Sequence, residues 1–372
     1  MTDRRLILKG LGTGILGSAL LGCKDQGSDS QTESVDQVSC REKTITWRMV
    51  TAWPKNFPML GIAPENFAKL VNQMSGGRLT IKVFGAGELV PAMQVFDAVA
   101  RGDVQVGHGA AYYWKGKLPA AQYFTAVPFG MNAQELNGWL HHGGGMELWR
   151  SLYEPFNLVP FAGGNTGVQM AGWFNRKIES QADLKGLKMR IPGLGGEVLK
   201  RAGGIPVILP GAEIFTSLQS GAIDATEWVG PFNDMAFGLH QAAKHYYYPG
   251  WHEPGSCLEF IVNQKALAQL PEDLQRIVEA VARLVNVDML DEATAKNNAA
   301  LNALVTEHGV NVSPLPDEVL IRLKALSEEV LEELAANDPT MAKIRDAFES
   351  FKSSAAQYHE ISEYAYYKAR NL

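Results

Sequence analysis

The chain has 372 residues, 46% of them hydrophobic, and its 34 Lys and Arg stand against 40 Asp and Glu for a formal charge of −6. An acidic balance with no basic run beyond the N-terminus argues against a nucleic-acid partner. Three cysteines do not make a disulfide framework.

Arg4, Arg5 and Lys9 precede an apolar, Gly-rich run from Gly10 to Gly22 that stops at Cys23. That run is too short to span a bilayer, so residues 1–23 read as a signal sequence. Leu20-Leu21-Gly22-Cys23 matches the pattern of a bacterial lipobox, with Cys23 as the lipid acceptor, and Arg4-Arg5 suits export by the twin-arginine route. Residues 24–43 are rich in Ser, Gln, Asp and Glu, bury nothing by themselves and read as a flexible tether. Cys40 and Cys257 are left either to pair with each other or to stay free.

Ile45 to Val50 begins as a strand, a Pro-punctuated loop follows, and Pro64 to Met74 is a helix. Leu79 to Phe84 alternates as a strand should, Ala92 to Arg101 is helical, and Val104 to Val106 is a short strand. This βαβαβ run favours a parallel sheet. Leu158–Phe161 and Val168–Phe174 are strand candidates around the turn "AGGNTG", where the chain is expected to cross into a second lobe. A second set follows: strand Leu187–Ile191, helix Gly196–Ala202, strand Pro206–Leu209, helix Ala212–Gln219 and strand Ile223–Ala225. The stretches around Gly102 and Gly221 echo each other, each an apolar helix running into a polar-Gly stop and a buried strand, which suggests two similarly built lobes. Leu258–Val262 reads as a strand returning to the first lobe, and two crossings make a hinge.

From Pro271 the chain turns helical, with Leu274, Ile277, Val278, Val281 and Leu284 spaced for one buried face. Further helices begin at Pro316-Asp317 and after Asp338-Pro339, the last carrying Ile344, Phe348, Phe351, Tyr358 and Tyr366. They either cover the sheets or reach a partner chain. The expected fold class is α/β, two-lobed and hinged, with discontinuous lobes: 44–164 plus 254–310, 165–253, and C-terminal helices over 311–372.

The sequence carries no nucleophile elbow, P-loop or zinc-type Cys/His spacing. Gly193-Leu194-Gly195-Gly196 lacks the last residue of a dinucleotide fingerprint, since Val198 stands there. His141 to Gly145 reads as solvated surface. Arg190 is different, because a guanidinium in an apolar strand keeps its charge and needs an anion facing it. That anion is either a ligand carboxylate or a protein acid such as Glu227. Glu227, beside Trp228 at the end of a buried strand, wants a cation in turn, either Arg190 or a bound metal. Gln169 sits mid-strand, where its amide offers an acceptor to a metal and a donor to a ligand, or is a satisfied core amide.

"GNTGVQMAGWF", "ADLKGLKMRIPG", "LQSGAIDATEWVGP" and "YYPGWHEPG", in that order, resemble the substrate-binding proteins of tripartite ATP-independent periplasmic (TRAP) transporters. The likeness runs from Ile45 to the C-terminus, and the Gln, Arg and Glu-Trp set is most similar to the 2-oxo acid and lactate-binding branch. The resemblance implies a periplasmic binding protein and not an enzyme, one that delivers a small monocarboxylate to a TRAP membrane permease, and the lipobox at Cys23 would tether it through a lipid. It implies that Arg190 clamps the carboxylate, and that Gln169, Glu227 and the Trp228 carbonyl hold sodium or calcium against the ligand. Tyr113, or its neighbour Tyr112, would close over the ligand, and Glu253 would border the site. The long C-terminal helices would mediate a homodimer. Asn175-Arg176-Lys177 matches nothing in the pattern and leaves the ligand's size open. Two alternatives share parts of this reading: a solute-binding protein of the ABC type, and a secreted metal-assisted enzyme acting on 2-oxo acids with Glu227 as base.

Overall fold

The computed structural model describes residues 44–372. The signal sequence, Cys23, the tether and Cys40 lie outside the described residues. In chain order the strands are β1 (Ile45–Thr51), β2 (Leu79–Phe84), β3 (Val106–Gly109), β4 (Leu158–Asn165), β5 (Gly172–Phe174), β6 (Lys188–Arg190), β7 (Ile205–Val207), β8 (Ala225–Thr226), β9 (His245–Tyr248), β10 (Cys257–Asn263) and β11 (Asn311–Pro314). The helices of the first half are α1 (Ile62–Met74), α2 (Val95–Arg101), α3 (Ala133–His142), α4 (Gly145–Tyr153), α5 (Gly193–Arg201) and α6 (Gly211–Gln219). Those of the second half are α7 (Pro231–Ala236), α8 (Leu239–Ala242), α9 (Gln264–Ala268), α10 (Glu272–Thr306), α11 (Asp317–Ala336), α12 (Pro339–Ile361) and α13 (Glu363–Arg370). None of the described helices is long and apolar enough to cross a membrane.

The strands form two sheets, ordered β2-β1-β3-β10-β4 and β11-β9-β5-β8-β6-β7. In the first, β1 lies parallel to β2 and β3, as the βαβαβ pattern requires, and β10 returns antiparallel between β3 and β4. In the second, β6 lies parallel to β7 and β8. The echoed glycines play matching parts. Gly102 ends α2 at φ 80° before β3, and Gly221 follows α6 at φ 75° before β8, both in the left-handed region that glycine adopts without strain.

Several expectations are corrected. Val104 precedes β3, and the first residues of the 92–101 helix form a separate 3-10 turn, Ala92–Gln94. "AGGNTG" is no turn: its first four residues continue β4 alongside β10, with a shift of register at Gly163 between the Ala162–Glu259 and Gly164–Leu258 pairs. Its glycines mark close packing, since a Cβ on Gly163 would lie 2.4 Å from the Phe260 ring and one on Gly164 2.6 Å from Met289 Cε. The crossing comes later, so the strand expected over Val168–Phe174 shrinks to β5. Leu284 is 49% exposed, and the buried face of α10 passes through Val285 and Met289 instead.

Two strands, β9 and β11, escape the sequence reading. They pair in parallel at the edge of the second sheet, so the chain re-enters that sheet after α10. Helix α10 packs against β4, α1 and α7. Helix α11 then seats Val319, Leu323, Leu326 and Val330 in the second sheet's core, beside α5, and α12 returns to α3 and α4 with Ile344 and Phe348 buried. The described C-terminal helices therefore cover both sheets, while Tyr358 and Tyr366 stay 65% and 62% exposed.

A candidate ligand and cation site between the sheets

Arg190 ends β6, and Glu227 directly follows β8, the parallel neighbour in which Thr226 stands opposite Arg190. The pairing continues one residue further, with Glu227 N donating to Arg190 O at 3.2 Å. Both side chains are buried, at 1% and 0% exposure. Arg190 Nη1 donates to Glu227 Oε1 and, at 3.4 Å, to Glu227 O, while Nε donates to Leu209 O at 3.4 Å. Of the two readings the sequence left open, the ion pair with Glu227 is thus present. The other arm of the guanidinium faces the first sheet, where Nη2 donates to Tyr113 OH at 3.3 Å. Tyr113 sits on the 3-10 turn Ala111–Trp114 that follows β3, so this contact joins the two sheets. Lys115, directly after that turn, reaches Glu197 of α5 at 2.9 Å and adds a second bridge.

The Trp228 ring lies over the guanidinium at 5.3 Å and meets Trp53 and Phe57 edge-on at 6.2 Å each. Gly211 makes room for it, since a Cβ there would fall 2.6 Å from the ring. Trp53 in turn donates from Nε1 to His108 Nδ1 at 2.8 Å, and His108 Nε2 lies 3.0 Å from Gly163 O. The pair of bonds assigns the proton of His108 to Nε2.

Gln169 lies on the crossing between β4 and β5 and is stitched to the second crossing, 249–256. Its backbone N donates to Glu253 O at 3.1 Å, and its carbonyl accepts from Gly250 N at 2.9 Å. A Cβ on Gly250 would sit 2.3 Å from that carbonyl oxygen, a backbone clash that reserves the position for glycine. The Gln169 amide donates to Thr166 Oγ1 at 3.1 Å, Glu253 Oε2 at 2.8 Å and Ser256 Oγ at 3.2 Å. Its Oε1 is buried with no partner, as is Glu227 Oε2. Buried polar atoms are almost always bonded, so orphans ask for an explanation. Both orphans are oxygens of the kind hard cations take, and the residues fit sodium or calcium.

Burial pushes the Glu227 carboxyl up to about 7 against the pull of Arg190. Glu253, 3% exposed, is likewise pushed up to about 7, by burial first and then by the charge of Glu227. Burial opposes the Arg190 charge too, but Glu227 and the two tyrosines hold it above its ordinary value. Two acids against one guanidinium leave this interior short of positive charge. His252, which the sequence reading quoted within "YYPGWHEPG" but did not single out, is 2% exposed beside Glu227 and held down to about 4 by burial, so its ring is neutral. Its proximity was not legible, because no periodic pattern covers the 249–256 crossing. Tyr112 packs on Tyr113 at 4.9 Å between ring centres and is not the tyrosine that meets Arg190. Cys257 lies buried in β10 with no disulfide partner among the described residues, and His141 is a half-buried residue in the last turn of α3.

A family model for bacterial extracellular solute-binding proteins, family 7 (DctP), matches residues 49–338. The chain belongs to this family. It is 40% identical over 363 residues to the monocarboxylate 2-oxoacid-binding periplasmic protein of Nostoc sp. (strain PCC 7120), across 98% of this chain and 97% of that one. A TRAP periplasmic solute-binding protein of Pseudoalteromonas atlantica T6c, solved with bound sodium and pyruvate, is 43% identical with a TM-score of 0.86, covering 88% of this chain and 99% of that one. Another from Colwellia psychrerythraea, solved with bound calcium and pyruvate, is 42% identical with a TM-score of 0.86, covering 88% and 100%. The chain is therefore a periplasmic solute-binding protein of the TRAP type. Its relatives are receptors rather than enzymes, and the secreted-enzyme and ABC-type alternatives give way.

Proposed function

We propose that this protein captures a small 2-oxo or 2-hydroxy monocarboxylate, such as pyruvate or lactate, together with sodium or calcium, and delivers it to a TRAP membrane permease. The observation that carries the reading is a buried guanidinium paired with Glu227, whose Oε2 has no partner, together with a second buried, unpartnered oxygen, Oε1 of Gln169, on an amide bonded to Glu253. Arg190 would bind the ligand carboxylate, with Tyr113 closing from the first sheet and Glu253 bordering the site. Gln169, Glu227 and the Trp228 carbonyl would hold the cation, whose charge offsets the two carboxylates and whose open positions take ligand oxygens.

Magnitudes support such a site. A three-carbon acid offers barely one methyl to bury, about 0.8 kcal/mol, whereas micromolar affinity needs about 8 kcal/mol. Charge and coordination must supply most of it. Ligand that touches both Arg190 and the Tyr113 turn stabilises the arrangement in which the sheets meet, so binding and closure are one equilibrium.

Cys23 would carry a lipid anchor after export, by the twin-arginine route if Arg4-Arg5 serve as its signal, and the segment 24–43 would tether the protein to the membrane. The exposed Tyr358, Ile361, Tyr364, Tyr366 and Tyr367 near the C-terminus favour pairing of two copies through α12 and α13.

A thermal-shift panel of 2-oxo and 2-hydroxy acids, each with and without calcium and sodium, tests the function. A shift with pyruvate or lactate that collapses on chelation and sodium removal is expected. Stabilisation by these acids that ignores both cations would refute the cation's part, and no stabilisation by any of them would refute the ligand class.

A further inference from the structure

His252 is buried with neither ring nitrogen bonded, and it faces an equally unpartnered Glu227 Oε2. The separation of His252 Nε2 from Glu227 Oε2 is 3.6 Å, beyond hydrogen-bond reach. It does match the spacing of two ligands on one metal: bonds of about 2.0–2.2 Å in a tetrahedral arrangement place donor atoms about 3.3–3.6 Å apart. Glu253 completes the group, because one donor atom from each of Glu227, His252 and Glu253 lies within 4.8 Å of the others.

The surroundings hold these side chains in place. Gly195 of α5 is required by the close approach of His252, since a Cβ there would stand 2.8 Å from His252 Cβ. Glu253 Oε2 accepts from Gln169 Nε2 at 2.8 Å and from Ser256 Oγ, outer bonds of the kind that orient metal-ligating carboxylates. Sodium and calcium select oxygen donors, whereas a neutral imidazole suits d-block ions.

We propose that His252 is a nitrogen ligand of this cation pocket, and that the pocket accepts a d-block divalent ion, Zn²⁺ above all, in competition with Ca²⁺. The inference rests on the cation-dependent reading of the site given above. Glu227, His252 and Glu253 would be the three protein ligands of such an ion, sharing Glu227 with the set that holds a hard cation, and they leave one position open on a four-coordinate ion, where a ligand oxygen fits. Zinc in the periplasm would then compete with calcium for control of ligand capture.

The test titrates chelator-stripped protein with Zn²⁺ by calorimetry, for the wild type and for His252→Gln, and measures Ca²⁺-dependent pyruvate binding on the same samples. The wild type is expected to bind Zn²⁺ in competition with Ca²⁺. His252→Gln should lose at least the tenfold to hundredfold in Zn²⁺ affinity that loss of even a supporting partner costs a metal site, a larger loss than any change in its Ca²⁺ affinity. Equal Zn²⁺ affinity in the two proteins, or Zn²⁺ that leaves Ca²⁺ binding undisturbed, overturns the proposal. Loss of pyruvate binding in Ca²⁺ buffer with intact His252-dependent zinc binding would instead sink the ligand assignment alone. Anomalous diffraction at the zinc edge on wild-type crystals needs no substitution: a peak bonded to His252 Nε2 supports the proposal, and zinc bound only elsewhere refutes it.

Discussion

Replacing Arg190 with Lys separates the two tasks of the guanidinium. In the folded protein Nη1 neutralises Glu227 while Nη2 reaches Tyr113 OH at 3.3 Å, a geometry that needs a planar fork. A lysine ammonium is a point charge and can stay near Glu227, so the buried carboxylate remains compensated. It cannot hold Glu227 and present a second donor to a ligand carboxylate at once. One lost charge-assisted hydrogen bond amounts to about 1.5–3 kcal/mol, which is about a 10- to 150-fold rise in Kd. Arg190→Ala removes the charge as well and leaves Glu227, at 0% exposure, unpaired in the interior, which should destabilise the fold by about 3–5 kcal/mol. Calorimetric titration with pyruvate in calcium buffer, beside thermal unfolding without ligand, reads both effects. A folded Arg190→Lys protein that binds pyruvate as tightly as the wild type would refute the clamp.

Glu227→Gln keeps the shape of the pocket but removes its central negative charge, so added Ca²⁺ should no longer tighten pyruvate binding; titrating Ca²⁺ at fixed pyruvate checks this. Gly250→Ala drives a Cβ to 2.3 Å from Gln169 O, where only backbone movement relieves the clash, and should lower both the melting temperature and the ligand affinity. Glu259, buried at 0% exposure in β10 and bonded by Trp114 Nε1, is pushed from 4.5 up to about 7 by burial, with the Trp114 bond opposing. A carboxyl with a raised folded value contributes its stability below pH 4.5 and loses it as pH rises through 7. Glu259→Gln should therefore be more stable than the wild type at pH 8, by up to about 3 kcal/mol, and should gain little at pH 4.5. Denaturant unfolding at both pH values tests the sign.

The site was partly legible because charge in an apolar strand is costly. That argument singled out Arg190 and Glu227 before any geometry was known, and it left the choice between ion pair and ligand clamp open because a strand sequence does not say which atoms face each other. Gln169 was found as a polar residue in an apolar stretch, although the stretch is a crossing and its backbone serves Glu253 and Gly250 rather than a sheet neighbour. Glu259 stood in "LEFIV" under the same logic as Arg190 and was passed over. His252 had no such signal, since polar residues in a Pro-Gly loop are ordinary and its burial comes from α5 packing over it. For the fold, periodicity located the first-sheet strands and the helices with residues of one face in register. It missed β9 and β11, whose four residues each are stabilised by pairing with each other across 66 positions of sequence, as from His245 to Asn311, rather than by any local pattern.

The central claim is that a guanidinium and a cation jointly hold one small anion between the sheets. The most direct measurement is the crystal structure of the protein grown with pyruvate and calcium. The account predicts density for a carboxylate within hydrogen-bond distance of Arg190 and for an ion bonded to Gln169 Oε1 and Glu227. Pyruvate located away from Arg190, or calcium that leaves both of those oxygens unbound, would contradict it.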